Sequence, residues 1–254
     1  MATPVRYEVD GAVATVTIDR AEVRNAVDPA TAQLLRDAFQ RFESDDSLSV
    51  AVLTGANGTF CAGFDLKALA GGESYRVDRA GDGPMGPTRM QLSKPVIAAI
   101  EGYAVGGGME LALWCDLRVC ARDATLGMFN RRFGVPTIDG GTVRLPRMIG
   151  QGRALDLLLT GRAVSASEAL QIGLVERIVE AGHALRGAQG LAHDLATIPQ
   201  GAMRADRRSV LRQWGMSIDD AADAEYRGGE EVIASGEARE GARRFAEGSG
   251  RHGT

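Results

Sequence analysis

Three consecutive glycines followed by a single acid mark the stretch whose residue types are best suited to chemistry. Gly106, Gly107 and Gly108 precede an apolar run that is typical of a helix, and Glu110 lies in its first turn. A glycine-rich turn that enters a helix presents backbone N–H groups to a ligand, and the helix dipole adds positive charge there. The stretch therefore predicts a site for a developing negative charge, with glycine-dependent helix–sheet packing as the alternative.

This stretch does not match the two common glycine motifs for phosphates. No Lys-Ser or Lys-Thr pair follows the glycines, as a P-loop requires, and the spacing differs from G-x-G-x-x-G. A second turn, Ala62-Gly63 within the stretch 58–69, also leads from a strand into a helix. Two such turns can each direct one N–H to the same oxygen, and paired donors of this kind form an oxyanion hole.

Composition and charge narrow the class of protein. The chain has 254 residues, enough for one large domain with an appendage. Its formal net charge is −4, so it lacks the basic surface expected of a nucleic-acid-binding protein. Three cysteines without CxxC spacing and three scattered histidines indicate neither a disulfide framework nor a metal site. The first residues lack a signal-peptide pattern, and no apolar run reaches membrane-spanning length. We therefore expect a cytoplasmic protein without a membrane partner.

The elements that must position these turns follow from an alternation of strand-like and helix-like segments. Segment 6–20 predicts a hairpin that turns at Asp10-Gly11, and Asp28 followed by Pro29 marks the start of a helix. The apolar runs that indicate buried strands are 49–55, 95–102 and 117–122. Such an alternation predicts an α/β fold with right-handed crossover connections.

Two further regions differ from this pattern. Residues 71–87 have no periodicity and are rich in Gly, Pro and charge, which predicts a surface loop, either an insertion or a substrate lid. From about residue 184 the chain is rich in Ala, Arg and Glu, as in helices. We place a domain boundary near residue 195, so that 1–195 form the core and 196–254 form a helical region that packs on the core or on another subunit.

Three stretches taken together resemble the enoyl-CoA hydratase/isomerase superfamily, the crotonases. They are FCAGFDLKAL (60–69), KPVIAAIEGYAVGGGMELALWCDLRV (94–119) and GGTVRLPRMIGQGRALDLLLTGRAVSASEALQIGLVERIV (140–179). The resemblance implies a spiral of ββα units with a helical C-terminal region, here 196–254, that builds homotrimers or dimers of trimers. It also implies an acyl-CoA thioester as substrate and no separate cofactor, because coenzyme A is part of the substrate.

The resemblance also assigns roles to single residues. The backbone N–H groups of Phe64 and Gly107 would polarise the thioester carbonyl and stabilise an enolate, and Glu110 would be the general acid and base. Residues that would line the path of coenzyme A are Ala62, Asp65, Leu66 and Lys67, with Arg24 near the phosphates. The alternative for Arg24 is a solvated surface charge, and for Glu110 it is capping of its own helix.

The chain departs from the family pattern at the second catalytic glutamate. Its expected position is Asn130, whose amide can hold a water or a carbonyl but cannot exchange a proton, and a positioned acid or base is worth about 10²–10⁴ in rate. Asp139, nine residues later, is the candidate to supply the carboxylate that is missing at position 130. The alternative for Asp139 is an N-cap of the next helix.

These features leave three functions open. We expect the addition of water to a 2-enoyl-CoA, with Glu110 as acid and base and with Asp139 or a water bound by Asn130 as helper. A single carboxylate also suffices for an enoyl-CoA isomerase, and a decarboxylase or a hydrolase of acyl-CoA is a further possibility within the family. An acyl-CoA-binding protein without turnover is the alternative from another class.

Overall fold

The first of two compact units, Met1–His193, is built on β-sheets. The computed structural model describes residues 3–73 and 81–248 of the chain. Its strands are β1 (Val5–Asp10), β2 (Val13–Ile18), β3 (Val50–Gly55), β4 (Val96–Ile100), β5 (Tyr103–Val105), β6 (Leu117–Ala121), β7 (Thr125–Gly127), β8 (Val164–Ser165) and β9 (Arg177–Val179). Its helices are α1 (Pro29–Ser44), α2 (Leu66–Ala70), α3 (Gly107–Trp114), α4 (Gly141–Ile149), α5 (Gln151–Thr160), α6 (Ala166–Gln171) and most of α7 (Ala184–Thr197). The predicted α/β fold is confirmed.

Six strands form the main sheet in the order β1-β2-β3-β4-β6-β9. β1 and β2 form the predicted antiparallel hairpin, and all the other pairs in this sheet are parallel. A second sheet of β5, β7 and β8 was absent from the sequence prediction. Its strands have only two or three residues, which is too short for a recognisable hydrophobic period.

Helix α1 begins as its sequence predicts. The side chain of Asp28 accepts a hydrogen bond from the Thr31 N–H at 2.7 Å, and Pro29 is the first helical residue. The fully buried side chains Leu35, Phe39 and Phe42 recur at helical spacing on one face. This apolar face anchors α1 in the core of the first unit.

The parallel order of β3 and β4 brings the two candidate turns to the same edge of the sheet, because parallel strands end on the same side. The chain leaves β3 toward the Ala62-Gly63 turn, and it leaves β4 toward β5 and the glycine triplet. A parallel bridge between Cys61 and Ala104 then joins the two segments directly.

The second unit, Asp194–Thr254, is helical and contains the end of α7, α8 (Gln200–Arg212), α9 (Ile218–Ser235) and α10 (Glu237–Ala246). The Glu237 carboxylate accepts hydrogen bonds from the N–H groups of Gly201 and Ala202, both at 2.8 Å, and so caps α8 with negative charge. The division falls inside α7, close to the boundary predicted near residue 195. Among the described residues, no helix combines the length and the apolar character that a membrane crossing requires.

Candidate active site

The glycine triplet includes both a tight turn and the start of α3. Gly106 is the N-cap, and Gly107 and Gly108 are the first two helical residues. Gly106 has φ 56° and ψ −127°, a conformation that residues with a side chain rarely adopt. Gly107 is the first helical residue, so its N–H has no acceptor within the helix. A Cβ on Gly108 would lie 2.2 Å from the Cys61 carbonyl oxygen, so only glycine allows this approach of the two backbones. The two candidate turns are therefore packed backbone against backbone.

The Ala62-Gly63 turn touches the glycine triplet at the predicted donor. Gly63 has φ 93°, and a Cβ on it would lie 2.8 Å from the Gly107 nitrogen. The next residue, Phe64, pairs with Val27, which hydrogen-bonds to Gly63 and Asp65 on either side of it. In a parallel bridge of this kind the N–H of the central residue, Phe64, is turned away from Val27.

Glu110 is fully buried in the first turn of α3, but it does not cap its own helix. Its Oε1 accepts hydrogen bonds from the N–H groups of Asp139, at 2.8 Å, and Gly141, at 2.9 Å, which belong to the segment that starts α4. Its Oε2 is buried and has no hydrogen-bond partner among the described residues. The carboxyl group is thus held through one oxygen, and the other makes no hydrogen bond with the described residues.

Burial is the main influence on the pKa of Glu110. The sequence alone does not show whether burial or the helix dipole has the larger effect on this pKa. Removal from water raises the pKa of Glu110 to about 7, and the negative charge of Asp139 acts in the same direction. The two backbone N–H donors and the Arg144 guanidinium oppose the rise. A carboxyl group with this pKa can both give and take a proton near neutral pH.

Asp139 is also fully buried, and it is not an N-cap of α4. Its Oδ1 accepts hydrogen bonds from the Met85 N–H, at 2.9 Å, and from the Thr88 hydroxyl, whereas its Oδ2 is buried without a partner among the described residues. The residue that caps α4 is Gly140, without a side-chain hydrogen bond. Burial raises the pKa of Asp139, and the Thr88 hydroxyl is the strongest opposing influence.

A half-buried arginine that the sequence analysis did not single out lies beside the two acids. The Arg144 guanidinium donates to the backbone carbonyl oxygens of Asp139, at 2.8 Å, and Thr88, at 2.6 Å. Burial lowers its pKa, although Glu110 and Asp139 pull in the opposite direction. Arg144, Thr88 and Met85 carried no signal of their own in the sequence, because they are brought to Asp139 only by the fold.

Asn130 lies next to the glycine turn, where the second glutamate of the family is expected. A Cβ on Gly106 would lie 3.7 Å from the Asn130 nitrogen. The Asn130 amide nitrogen donates to Val135 O, at 3.1 Å, and Thr137 Oγ1, at 3.0 Å, and its Oδ1 is buried with no partner in the described part of the chain. Thr137 in turn is adjacent to Gly141, on which a Cβ would meet both Thr137 and Glu110.

The residues predicted to bind coenzyme A lie along the Ala62 turn and the start of α2. The Ala62 N–H donates to the Arg24 carbonyl at 3.1 Å, and the Arg24 side chain is exposed. Leu66 and Lys67 are also exposed.

The carboxylate of Asp65, which was also predicted to line this path, is engaged within the chain. It accepts hydrogen bonds from the N–H groups of Lys67 and Ala68 and pairs with Arg20 at 3.1 Å. Within residues 3–73 and 81–248, no cluster of three or more His, Cys, Asp or Glu side chains is arranged to hold a metal ion.

Comparison with known proteins gives one consistent family. The family model described as enoyl-CoA hydratase/isomerase matches residues 8–252. A carnitinyl-CoA dehydratase of Proteus mirabilis is 37% identical over 87% of this chain and 85% of its own length. The enoyl-CoA hydratase EchA19 of Mycobacterium tuberculosis is 36% identical over 91% of this chain and 89% of its own.

Solved structures agree with this family. The crystal structure of an enoyl-CoA hydratase from Mycobacterium tuberculosis superposes with a TM-score of 0.91 at 40% identity, covering 96% of both chains. That of enoyl-CoA hydratase EchA1 from Mycobacterium marinum gives 0.90 at 39% identity, with the same coverage of both chains. Their fold is the one that the resemblance of the three sequence stretches implied.

Proposed function

The chain belongs to the enoyl-CoA hydratase/isomerase family and is an enzyme of that family, and within it we propose that the protein adds water to a 2-enoyl-CoA thioester. Two of its relatives are named as a hydratase and a dehydratase, and these names describe the two directions of such a reaction. The observation that carries the proposal is Glu110, a fully buried carboxyl group with one oxygen unpartnered among the described residues and a pKa raised to about 7. It lies one turn into a helix whose first N–H belongs to Gly107.

In the proposed mechanism two backbone N–H groups bind the thioester oxygen. The donors are those of Gly107 and Phe64, and the contact between Gly63 and Gly107 supports their placement on one site. Negative charge grows on this oxygen when water adds to the β-carbon, and preorganised donors stabilise it. Glu110 takes a proton from the water and returns one to the α-carbon, so the Glu110 carboxyl group has the same protonation state before and after the reaction.

The water needs a second acceptor, and Asn130 suits that role better than Asp139. The Asn130 Oδ1 is buried without a partner in the described part of the chain, beside the glycine turn. Asp139 Oδ2 is unpartnered in the same way, but Asn130 occupies the position of the family's second glutamate, and Asp139 Oδ1 ties that carboxylate to Met85 and Thr88. We therefore assign the water to Glu110 Oε2 and Asn130 Oδ1, with Asp139 as the second buried charge of the site.

An isomerase that moves the double bond of an enoyl-CoA is the second candidate. Asn130 favours it, because an amide cannot exchange the second proton and Glu110 alone can shuttle one proton between two carbons. Decarboxylation or hydrolysis of an acyl-CoA and binding without turnover have no observation of their own in their favour.

Mass spectrometry of the purified protein with trans-2-enoyl-CoA and with 3-enoyl-CoA separates these candidates. Hydration predicts a product heavier by one water from the 2-enoyl substrate, together with loss of the absorbance of the conjugated thioester. A gain of that absorbance from the 3-enoyl substrate at unchanged mass, with no hydration of either substrate, would support the isomerase instead. Calorimetric binding of both esters with no product of any kind would reject an enzyme of either type.

The remaining assignments extend the same proposal. Residues that would line the path of coenzyme A are Ala62, Asp65, Leu66, Lys67 and the exposed Arg24. Coenzyme A is part of the substrate, which leaves no need for another cofactor. We also propose a cytoplasmic homotrimer or dimer of trimers. Large apolar side chains on the helices of the second unit support assembly, since Ile218 is 88% exposed and Ile233 is 70% exposed.

A further inference from the structure

A short segment from Asp82 to Arg89 is fastened to the active site by one carboxylate oxygen. We call it the 82–89 segment; the Arg89 N–H donates to Asp82 O at 2.7 Å and closes it into a loop. Inside the loop, the Met85 N–H and the Thr88 hydroxyl both donate to Asp139 Oδ1. Arg144 adds a further tie, from its guanidinium to Thr88 O at 2.6 Å. Residues 74–80, the middle of the predicted 71–87 loop, lie outside the described residues.

Gly83 makes room for this attachment. Its φ is 113°, and a Cβ on it would lie 2.1 Å from Thr88 Oγ1 and 3.2 Å from Asp139 Oδ1. Any side chain at this position would therefore displace the hydroxyl from the carboxylate. The attachment of the 82–89 segment to the Asp139 oxygen therefore requires glycine at position 83.

The attachment places Met85 against the proposed oxyanion donor. Met85 is fully buried, and a Cβ on Gly107 would lie 2.7 Å from its Sδ and 3.1 Å from its Cε. The Met85 side chain thus covers the α-carbon of Gly107, the residue whose N–H we assign to the thioester oxygen. Its own backbone N–H is held by Asp139, so the position of this side chain depends on the carboxylate.

We propose that Asp139 is a positioning residue, whose carboxylate holds the 82–89 segment so that Met85 forms the wall of the acyl site beside Gly107. Asp139 then acts on turnover through Met85 and through its charge on Glu110, without touching the substrate. This inference rests on the proposed function for the identity of the acyl site, but the attachment itself does not depend on the reaction.

The charge of Asp139 gives the proposal a readout that a merely structural residue lacks. Asp139 raises the pKa of Glu110, second only to burial, while Arg144 lowers the pKa of both acids and Arg89 lowers that of Asp139. Replacement of Asp139 by Asn keeps an oxygen acceptor for Met85 and Thr88 but removes the charge. The pH profile of kcat/KM should then move its Glu110 limb to lower pH.

The test compares Asp139→Asn, Asp139→Ala, Thr88→Val and Thr88→Ser. Amide hydrogen exchange over the 82–89 segment should rise at least tenfold in Asp139→Ala and by a smaller factor in Thr88→Val, and should stay unchanged in Asp139→Asn and Thr88→Ser. The affinity for a saturated acyl-CoA should fall about tenfold in Asp139→Ala, with a smaller fall in Thr88→Val that Thr88→Ser restores. Thr88→Val keeps the test decisive if Asp139→Ala does not fold.

Two outcomes overturn the proposal. Unchanged exchange in Thr88→Val and Asp139→Ala would show that the carboxylate does not hold the segment. A loss of kcat of about 10² or more in Asp139→Asn, with exchange and binding intact, would make Asp139 a catalytic residue. If the wild-type protein hydrates no 2-enoyl-CoA, the proposed function fails, whereas exchange and saturated acyl-CoA binding still decide whether Asp139 holds Met85 in place.

Discussion

The acidic groups of the active site and those of the surface have opposite relations to arginine. At the surface, Arg162 donates directly to Asp156, at 2.7 Å, and to Glu168, at 2.6 Å, and holds the pKa of Glu168 below its usual value. In the buried site, the pKa values of Glu110 and Asp139 are both raised. The same side-chain chemistry is therefore kept ionised in one place and close to protonation in the other.

The placement of arginine nitrogen atoms explains the difference. Arg144 is close enough to influence both buried acids, but it donates to the carbonyl oxygens of Asp139 and Thr88 rather than to a carboxylate. A direct ion pair would have lowered the pKa of Glu110 and removed its capacity to carry a proton. The site thus gives up electrostatic stability for a carboxyl group that can exchange protons near neutral pH.

The largest effect that separates the two regions is the loss of turnover in Glu110→Gln. The amide keeps an oxygen for the Asp139 and Gly141 N–H groups but cannot carry a proton, so we expect kcat to fall by about 10²–10⁴. Glu168→Gln is the matched control and should leave kcat within about twofold, since Glu168 belongs to the surface cluster. Steady-state rates with a 2-enoyl-CoA measure both. Equal rates for wild type and Glu110→Gln would remove Glu110 from the mechanism.

The pH dependence of stability should have opposite signs in the two regions. The pKa of Glu110 rises from 4.5 to about 7 on folding, so its stabilising contribution is present below pH 4.5 and is lost as the pH rises through about 7. That loss corresponds to about 3 kcal/mol, since one pKa unit is about 1.4 kcal/mol.

Urea unfolding at several pH values tests this contribution. Relative to wild type, Glu110→Gln should become more stable as the pH rises from about 5 to about 8. Glu168 has a lowered pKa, so its contribution is lost as the pH falls, and Glu168→Gln should differ from wild type least in acid. A difference between Glu110→Gln and wild type that does not change with pH would contradict the raised pKa.

Glycine substitutions extend the comparison from side chains to the backbone. In Gly108→Ala the new methyl group would meet the Cys61 carbonyl at 2.2 Å, so we expect a loss of about 1–3 kcal/mol of stability together with loss of activity. The control is Gly190→Ala, in the middle of α7, where a Cβ meets nothing within 4 Å. This change should stabilise the protein by roughly 0.5–1 kcal/mol. A stable and active Gly108→Ala would show that the two turns do not need their close approach.

The sequence allowed prediction of the parts of this site that depend on local pattern. The N-cap at Asp28, the first hairpin and the helix that begins at the glycine triplet follow from short-range rules, and all three are present. The protonation of Glu110 was not predictable, because it depends on how completely the fold buries it. The partners of Asp139 were likewise hidden, since Met85 and Thr88 precede it by more than 50 residues without a pattern that links them.

The smallest expected effect is on the surface cluster itself. Arg162→Gln removes both ion pairs with Asp156 and Glu168, and exposed pairs of this kind contribute less than about 1 kcal/mol. The loss should shrink further when the ionic strength is raised, because exposed charges are screened within about 10 Å at 0.1 M salt. Denaturant titrations of wild type and Arg162→Gln at low and high salt measure it. A loss of several kcal/mol that salt does not reduce would mean that the Arg162 cluster is as tightly built into the fold as the buried acids, and the contrast between the two regions would no longer hold.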